Sequence, residues 1–123
     1  MLTNGRCGII DLSLEANLMP HDWTMCLEVA EHVPQMWEDE IIRNMHRTNT
    51  RGVILSWALE GQGGYGHVNE RNNDYVKEKF ATLGYVNDVE AEEFLRDSST
   101  LSWFKHSIMV FHKPDGKAPK DEL

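Results

Sequence analysis

Long apolar runs and clusters of basic residues are both missing from this 123-residue chain. No stretch is long enough to cross a bilayer and no signal sequence opens the chain, so we expect a cytoplasmic protein without membrane contact. Lys and Arg number 12 against 20 Asp and Glu, giving a formal charge of -8 that repels phosphate backbones. We therefore expect no nucleic-acid partner.

Motifs of metal, redox and hydrolase chemistry are absent as well. Cys7 and Cys26 lack C-x-x-C spacing, and both lie beside apolar residues, where a reduced, buried thiol is expected. None of the six histidines pairs at i, i+4 beside an acid, so the sequence predicts no metal site. A hydrolase that uses a histidine dyad is disfavoured because no nucleophile-elbow sequence such as G-x-S-x-G occurs.

The last four residues, 120–123, read Lys-Asp-Glu-Leu, which is an endoplasmic-reticulum retrieval signal. A receptor reads this signal only inside the lumen. Without an entry sequence we favour a chance occurrence, and the lumen of the endoplasmic reticulum stays the alternative compartment.

What the sequence does contain is an alternation of predicted strands and helices, in a length that suits one domain. Apolar runs predict strands at 8–12, 22–27, 53–58, 85–89 and 103–112. Helical spacing predicts helices over 35–47, with Met36 and Trp37 in the core, from about 73 to Leu83, and over 90–96. Four glycines within 60–67 predict a loop. Such alternation is typical of an α/β fold with a mainly parallel sheet.

Residues 22–34, Asp-Trp-Thr-Met-Cys-Leu-Glu-Val-Ala-Glu-His-Val-Pro, contain the pattern D-x-x-x-x-x-E-V-x-E-H. This segment resembles the fourth strand and following turn of class I S-adenosylmethionine-dependent methyltransferases. The order of the later elements, including the strand after Gly52 and the helix ending at Leu83-Gly84, extends the resemblance over residues 8–113. It implies a Rossmann-like partial sheet from the third strand onward, with an antiparallel C-terminal strand, in a domain of residues 1–113 followed by a flexible tail, 114–123.

The glycine-rich turn that opens the family's cofactor site has no counterpart here, nor has the acid of its second strand. The sheet would then expose the edge of its fourth strand, which favours pairing with other chains. We therefore expect a truncated part of a longer enzyme, or a second chain that completes the sheet.

The resemblance also implies roles for individual residues. Asp11, Leu12, Leu27 and Glu28 would contact S-adenosylmethionine, with the Asp11 carboxylate accepting from the adenine amino group. His32 and His67 would act as bases, since imidazole accepts protons near neutral pH. Contacts to a small-molecule acceptor would come from Glu31, Trp57, Gln62, Tyr65, Asn69 and Arg71.

Plainer roles are open for the same residues. Asp11 also suits a turn or cap, Glu31 and His32 suit the start of the helix near Pro34, and the glycine loop can exist without a ligand. The resulting prediction is an enzyme that transfers the methyl group of S-adenosylmethionine to an N, O or S acceptor. The alternative is a catalytically inactive, truncated methyltransferase-like domain that acts by binding a partner.

Overall fold

The computed structural model describes residues 7–114, and they form a four-stranded sheet with associated helices, which confirms the α/β class. In chain order the elements are β1 (His21–Leu27), two 3-10 turns (Ala30–His32 and Gln35–Trp37), α1 (Glu38–Arg47), β2 (Asn49–Ser56), α2 (Asn73–Thr82), β3 (Val86–Asn87), α3 (Val89–Ser98), α4 (Phe104–Ser107) and β4 (Ile108–His112).

The sheet has the order β1-β2-β4-β3. Strand β1 pairs with β2 in parallel, whereas β4 runs antiparallel to both β2 and β3. The predicted antiparallel C-terminal strand is therefore confirmed. Because β4 lies between β2 and β3, one of the three strand pairs in residues 7–114 is parallel, and the sheet is mixed rather than mainly parallel.

The core lies against the centre of the sheet. Val53 and Leu55, which lie on the same face of β2, are fully buried, whereas Ile54 on the opposite face is half-buried. The strand expected to be covered on both faces is therefore fully covered on one of them at these positions. Helices α1 and α2 and strand β4 supply much of the remaining core: Ile41, Ile42, Met45, Val76, Phe80, Met109 and Phe111.

Gly52 allows β2 to pack closely against its neighbours. A Cβ atom at this position would lie 2.3 Å from the carbonyl oxygen of Phe111 and 2.4 Å from the ring of Trp23. The glycine before the apolar run is therefore required by the sheet itself.

The strand predicted at 8–12 is wrong. Residues 7–12 have no regular structure, and Ile9 is fully exposed. The segment after it is held by a side chain of α1 instead of a strand ladder: Asn44 Oδ1 accepts from the N–H of Ala16 at 2.8 Å, and Asn44 Nδ2 donates to the carbonyls of Leu12 and Leu14 at 3.1 and 2.8 Å. The described residues thus contain no counterpart of a third methyltransferase strand.

Several element boundaries also differ from prediction. The start of the helix predicted at 35–47 is a 3-10 turn in which Met36 and Trp37 are exposed, so their assignment to the core is wrong. The strand predicted at 85–89 has two residues, and the first half of that predicted at 103–112 is helical. The helix ending at Leu83 is confirmed, with Gly84 at a φ of 87°.

The cysteine prediction has a mixed outcome. Cys26 is buried, but Cys7 is exposed, so the expectation of two buried thiols is half wrong. Within residues 7–114 no helix is long and apolar enough to span a membrane. Nearly all of the predicted tail, with its terminal Lys-Asp-Glu-Leu, lies outside the described residues.

Candidate functional site

Two loops meet at the carboxyl ends of the parallel strands β1 and β2. Glu28 follows β1 directly and has a φ of 53°, a left-handed conformation that costs a non-glycine residue about 1 kcal/mol or more. Its N–H donates to Ser56 Oγ, at the end of β2, over 2.8 Å, and Ser56 Oγ donates back to Glu28 Oε1 over 2.9 Å. The turn after β1 is thereby fixed to the neighbouring strand.

Glu31, in the 3-10 turn after Glu28, is fully buried. Its carbonyl oxygen accepts from the N–H groups of Val68 and Asn69 at 2.9 and 3.0 Å, which joins this turn to the loop after β2. Within residues 7–114, neither carboxylate oxygen of Glu31 has a hydrogen-bond partner. Burial raises the pKa of Glu31 and the charge of Glu28 adds to this effect, whereas the backbone N–H of Glu31 itself, His32 and His67 oppose it.

His32 and His67, the two predicted bases, come together here. Their ring centroids are 5.0 Å apart, with an angle of 81° between the planes. His32 Nδ1 lies 3.0 Å from the carbonyl oxygen of Gly66, and His67 Nδ1 lies 2.9 Å from Glu70 Oε1. His67 Nε2 is 4.0 Å from Glu31 Oε1. One ligand atom from each of Glu31, His32 and His67 lies within 4.8 Å of the others, and we call these three residues the Glu31 cluster.

Glu70 organises the glycine loop around His67. Its carboxylate accepts from the N–H groups of Gly61 and Gly63 at 2.8 and 2.7 Å as well as from the His67 ring. The bond from His67, together with the two backbone N–H groups, lowers the pKa of Glu70. Gly64 lies so close that a Cβ atom there would be 2.4 Å from the His67 ring. The glycines therefore let the backbone wrap around an imidazole.

Three residues predicted to contact the acceptor belong instead to the packed interior of this loop. Trp57 is fully buried, and its indole N–H donates to the carbonyl of Asn69 at 2.6 Å. Asn69 Nδ2 and Arg71 Nε both donate to Glu38 Oε2, at 2.9 and 2.7 Å. Their side chains position the loop, because each is engaged by protein groups.

Glu38 and Tyr75 complete that interior network, and no motif in the sequence assigns either of them to a site. Glu38 is buried at the start of α1 and accepts a hydrogen bond from the Tyr75 hydroxyl. In sequence, Glu38 is one of three acids at a helix start, a pattern that the helix dipole explains without any partner.

The remaining acceptor candidates are open to solvent. Gln62 Nε2 lies 3.5 Å from Glu28 Oε2, at the mouth of the site. Tyr65 is fully exposed on the glycine loop.

The predicted cofactor residues are divided between a turn and a cavity. Asp11 is exposed and accepts from the N–H and hydroxyl of Ser13 at 2.9 and 2.6 Å, bonds that lower its pKa, so it acts as the turn residue that was the alternative prediction. Leu12 and Leu27 line a mainly apolar cavity of about 420 Å³ between the N-terminal segment, β1 and α1. Glu28 lies just beyond Leu27 at the end of the strand.

No family model, no curated protein and no solved structure matches this chain.

Proposed function

We propose that the chain is the acceptor-side half of an S-adenosylmethionine-dependent methyltransferase that modifies an N, O or S atom of a small molecule. The observation that carries the proposal is the meeting of Glu28, His32 and His67 at the carboxyl ends of two adjacent parallel strands. Open α/β sheets bind ligands at that edge. The antiparallel C-terminal strand beside β2 also agrees with the resemblance.

The fit to the cofactor is partial. The apolar cavity lined by Leu12 and Leu27 suits a flat ring such as adenine. Asp11 and Glu28 each directly adjoin one of these two leucines in the sequence, and a carboxylate can accept from amino or hydroxyl groups. The glycine-rich turn that would hold the amino-acid end is not among residues 7–114. Another segment or a second chain would have to supply it.

S-adenosylmethionine, when bound, supplies a methyl group already activated on a sulfonium, so the chain's own residues need chiefly to align the acceptor. Gln62 at the mouth of the site can hydrogen-bond the acceptor. The Nε2 atoms of His32 and His67 can accept its proton, because both Nδ1 atoms are engaged elsewhere.

A second candidate function, partner binding without catalysis, is favoured by one observation. Strand β1 lies at an edge of the sheet, and within residues 7–114 no strand pairs with its outer side. Met25 on this strand is 71% exposed. Unpaired edges of this kind accept a strand from another chain.

Isothermal titration with S-adenosylhomocysteine separates the two functions. We expect one site with a micromolar Kd, about -8 kcal/mol, that is weakened at least tenfold in Glu28→Gln. Glu93→Gln, an exposed carboxylate on α3, is the matched control and should bind as the parent does. A folded chain that binds nothing, together with a concentration-dependent dimer in light scattering, would favour the partner-binding function.

A further inference from the structure

We propose that the Glu31 cluster, formed by Glu31, His32 and His67, binds a divalent transition-metal ion such as Zn²⁺. The proposal goes beyond methyl transfer and does not depend on it. The sequence predicts no metal because the two histidines are far apart along the chain, but the fold brings them together from the turns after β1 and β2.

The first argument concerns the buried carboxylate of Glu31. The residue is fully buried, and both of its carboxylate oxygens lack a hydrogen-bond partner among the described residues. A buried carboxylate without a partner is costly, and natural proteins pair such groups with a cation or a metal. The nearest basic group is the His67 ring, whose Nε2 is 4.0 Å from Oε1, too far for a hydrogen bond.

The second argument is the tautomer of each histidine. His32 Nδ1 faces a carbonyl oxygen, which can only accept, so Nδ1 carries the proton. His67 Nδ1 faces Glu70 Oε1, and the same carboxylate already accepts from the N–H groups of Gly61 and Gly63. In the neutral form of both rings the lone pair is therefore on Nε2, the atom available to a metal.

These Nδ1 contacts are also the outer-shell partners typical of metal-bound histidine. Such histidines donate their second ring N–H to a carboxylate or a backbone carbonyl, which fixes the orientation of the ring. Glu70 and the carbonyl of Gly66 are one partner of each kind. These contacts thus orient both histidine rings in the absence of an ion.

The donor set decides the kind of ion. Two imidazoles and one carboxylate, with a position left open, suit Zn²⁺ and related first-row ions, whereas Mg²⁺ and Ca²⁺ prefer oxygen ligands alone. Ligand atoms on one tetrahedral zinc ion, each about 2.1 Å from it, lie about 3.4 Å apart. The present separations, all within 4.8 Å, would therefore have to shorten when the ion binds.

Titration of the chelator-treated whole chain with Zn²⁺, without any cofactor, tests the proposal. We expect one ion per chain and a rise of the unfolding temperature with Zn²⁺, because the ion binds the folded form. Outer-shell losses cost about 10–100-fold in metal affinity, so Glu31→Gln and His67→Ala should lose more than about 100-fold. His21→Ala is the matched control, since His21 lies at the opposite end of β1.

Substitution with Co²⁺ adds a spectroscopic readout. Co²⁺ bound by the two imidazoles should give visible ligand-field absorption in the parent and in His21→Ala. This absorption should be absent from Glu31→Gln. Far-ultraviolet circular dichroism establishes that each variant is folded. Should Glu31→Gln fail to fold, His32→Gln replaces it, because that exposed ring can be changed without a core cavity.

The proposal is overturned if the parent chain binds no Zn²⁺. It is also overturned if the parent, Glu31→Gln and His32→Gln bind Zn²⁺ with equal affinity, because binding would then belong to surface histidines. Neither result bears on the binding of S-adenosylhomocysteine, which is measured separately. Conversely, a chain that binds Zn²⁺ but no S-adenosylhomocysteine would support the metal site while contradicting cofactor binding by this half.

Discussion

Ser56 and Glu28 are joined by two hydrogen bonds that connect the ends of adjacent parallel strands. The serine hydroxyl accepts from the backbone N–H of Glu28 and donates to its carboxylate. Glu28 has a left-handed φ, so these bonds offset backbone strain three residues before Glu31, the first residue of the Glu31 cluster. The shape of the site therefore depends on Ser56, a fully buried residue at the end of β2.

Replacing Ser56 with alanine should lower the free energy of unfolding by about 1–3 kcal/mol, because the N–H of Glu28 loses its acceptor. Urea unfolding measures this change. Ser107→Ala is the control, since the buried Ser107 hydroxyl bonds only the carbonyl of Trp103 four residues earlier, a local contact worth about 1 kcal/mol or less. An equal loss in the two variants would contradict the role assigned to Ser56.

Glu38→Ala should lower the free energy of unfolding by about 3–5 kcal/mol. The substitution leaves Arg71, Asn69 and Tyr75 without their shared acceptor. We also expect faster protease cleavage in the loop after β2. Glu40→Ala, which breaks only half-exposed pairs with arginines of the same helix, should cost less than about 1 kcal/mol. Comparable losses would show that the Glu38 network is not what holds the loop.

The two thiols should react at very different rates. Burial, with a smaller contribution from Glu31, raises the pKa of Cys26 to about 12, and the thiolate is the reactive form. Cys7 is exposed. With a disulfide reagent at neutral pH we expect one thiol to be modified rapidly and the second only in denaturant. Cys7→Ser should abolish the rapid phase, and persistence of that phase would contradict the burial of Cys26.

Acid should weaken the fold partly through Asp88. Its carboxylate caps α3 through the N–H of Ala91 and pairs with His112 at 2.7 Å, and these contacts lower its pKa. A carboxyl whose pKa is lower in the folded state stabilises the fold above its unfolded value of about 3.9, and this contribution disappears as pH falls.

Asp88→Asn should therefore reduce the dependence of stability on pH in the acid range while leaving the helix cap in place. Urea midpoints between about pH 5 and pH 2 measure the slope. Asp97→Asn, at an exposed position of the same helix, is the control, and an unchanged slope in Asp88→Asn would rule out this contribution.

The meeting of His32 and His67 could be predicted from the sequence because each follows a strand whose type was clear. Parallel neighbouring strands place their carboxyl ends at one edge, so residues after them converge. The interior of the loop could not be predicted from the sequence. Glu38 and Tyr75 lie on two different helices and Arg71 lies in the loop, and only the packed chain shows that Tyr75 and Arg71 share the Glu38 carboxylate.

The errors have physical causes too. The run at 8–12 is apolar enough for a strand, but a strand needs a ladder partner, and Asn44 satisfies the following backbone groups instead. Residues 104–107 form a helical turn because Ser107 and His106 close onto the carbonyl of Trp103. Such competition between local bonds is invisible to apolar periodicity.

Glu70 holds the backbone of Gly61 and Gly63 and the ring of His67 with one carboxylate. Loop opening that breaks the glycine bonds therefore also releases the imidazole from its fixed orientation. Thermodynamic linkage makes this relation reciprocal. If the closed loop raises the affinity for a ligand of the fixed His67 ring, that ligand stabilises the closed loop by the same free energy. We therefore expect the glycine loop and the Glu31 cluster to be coupled. A ligand at the mouth of the site and an ion at the cluster would each change the affinity for the other.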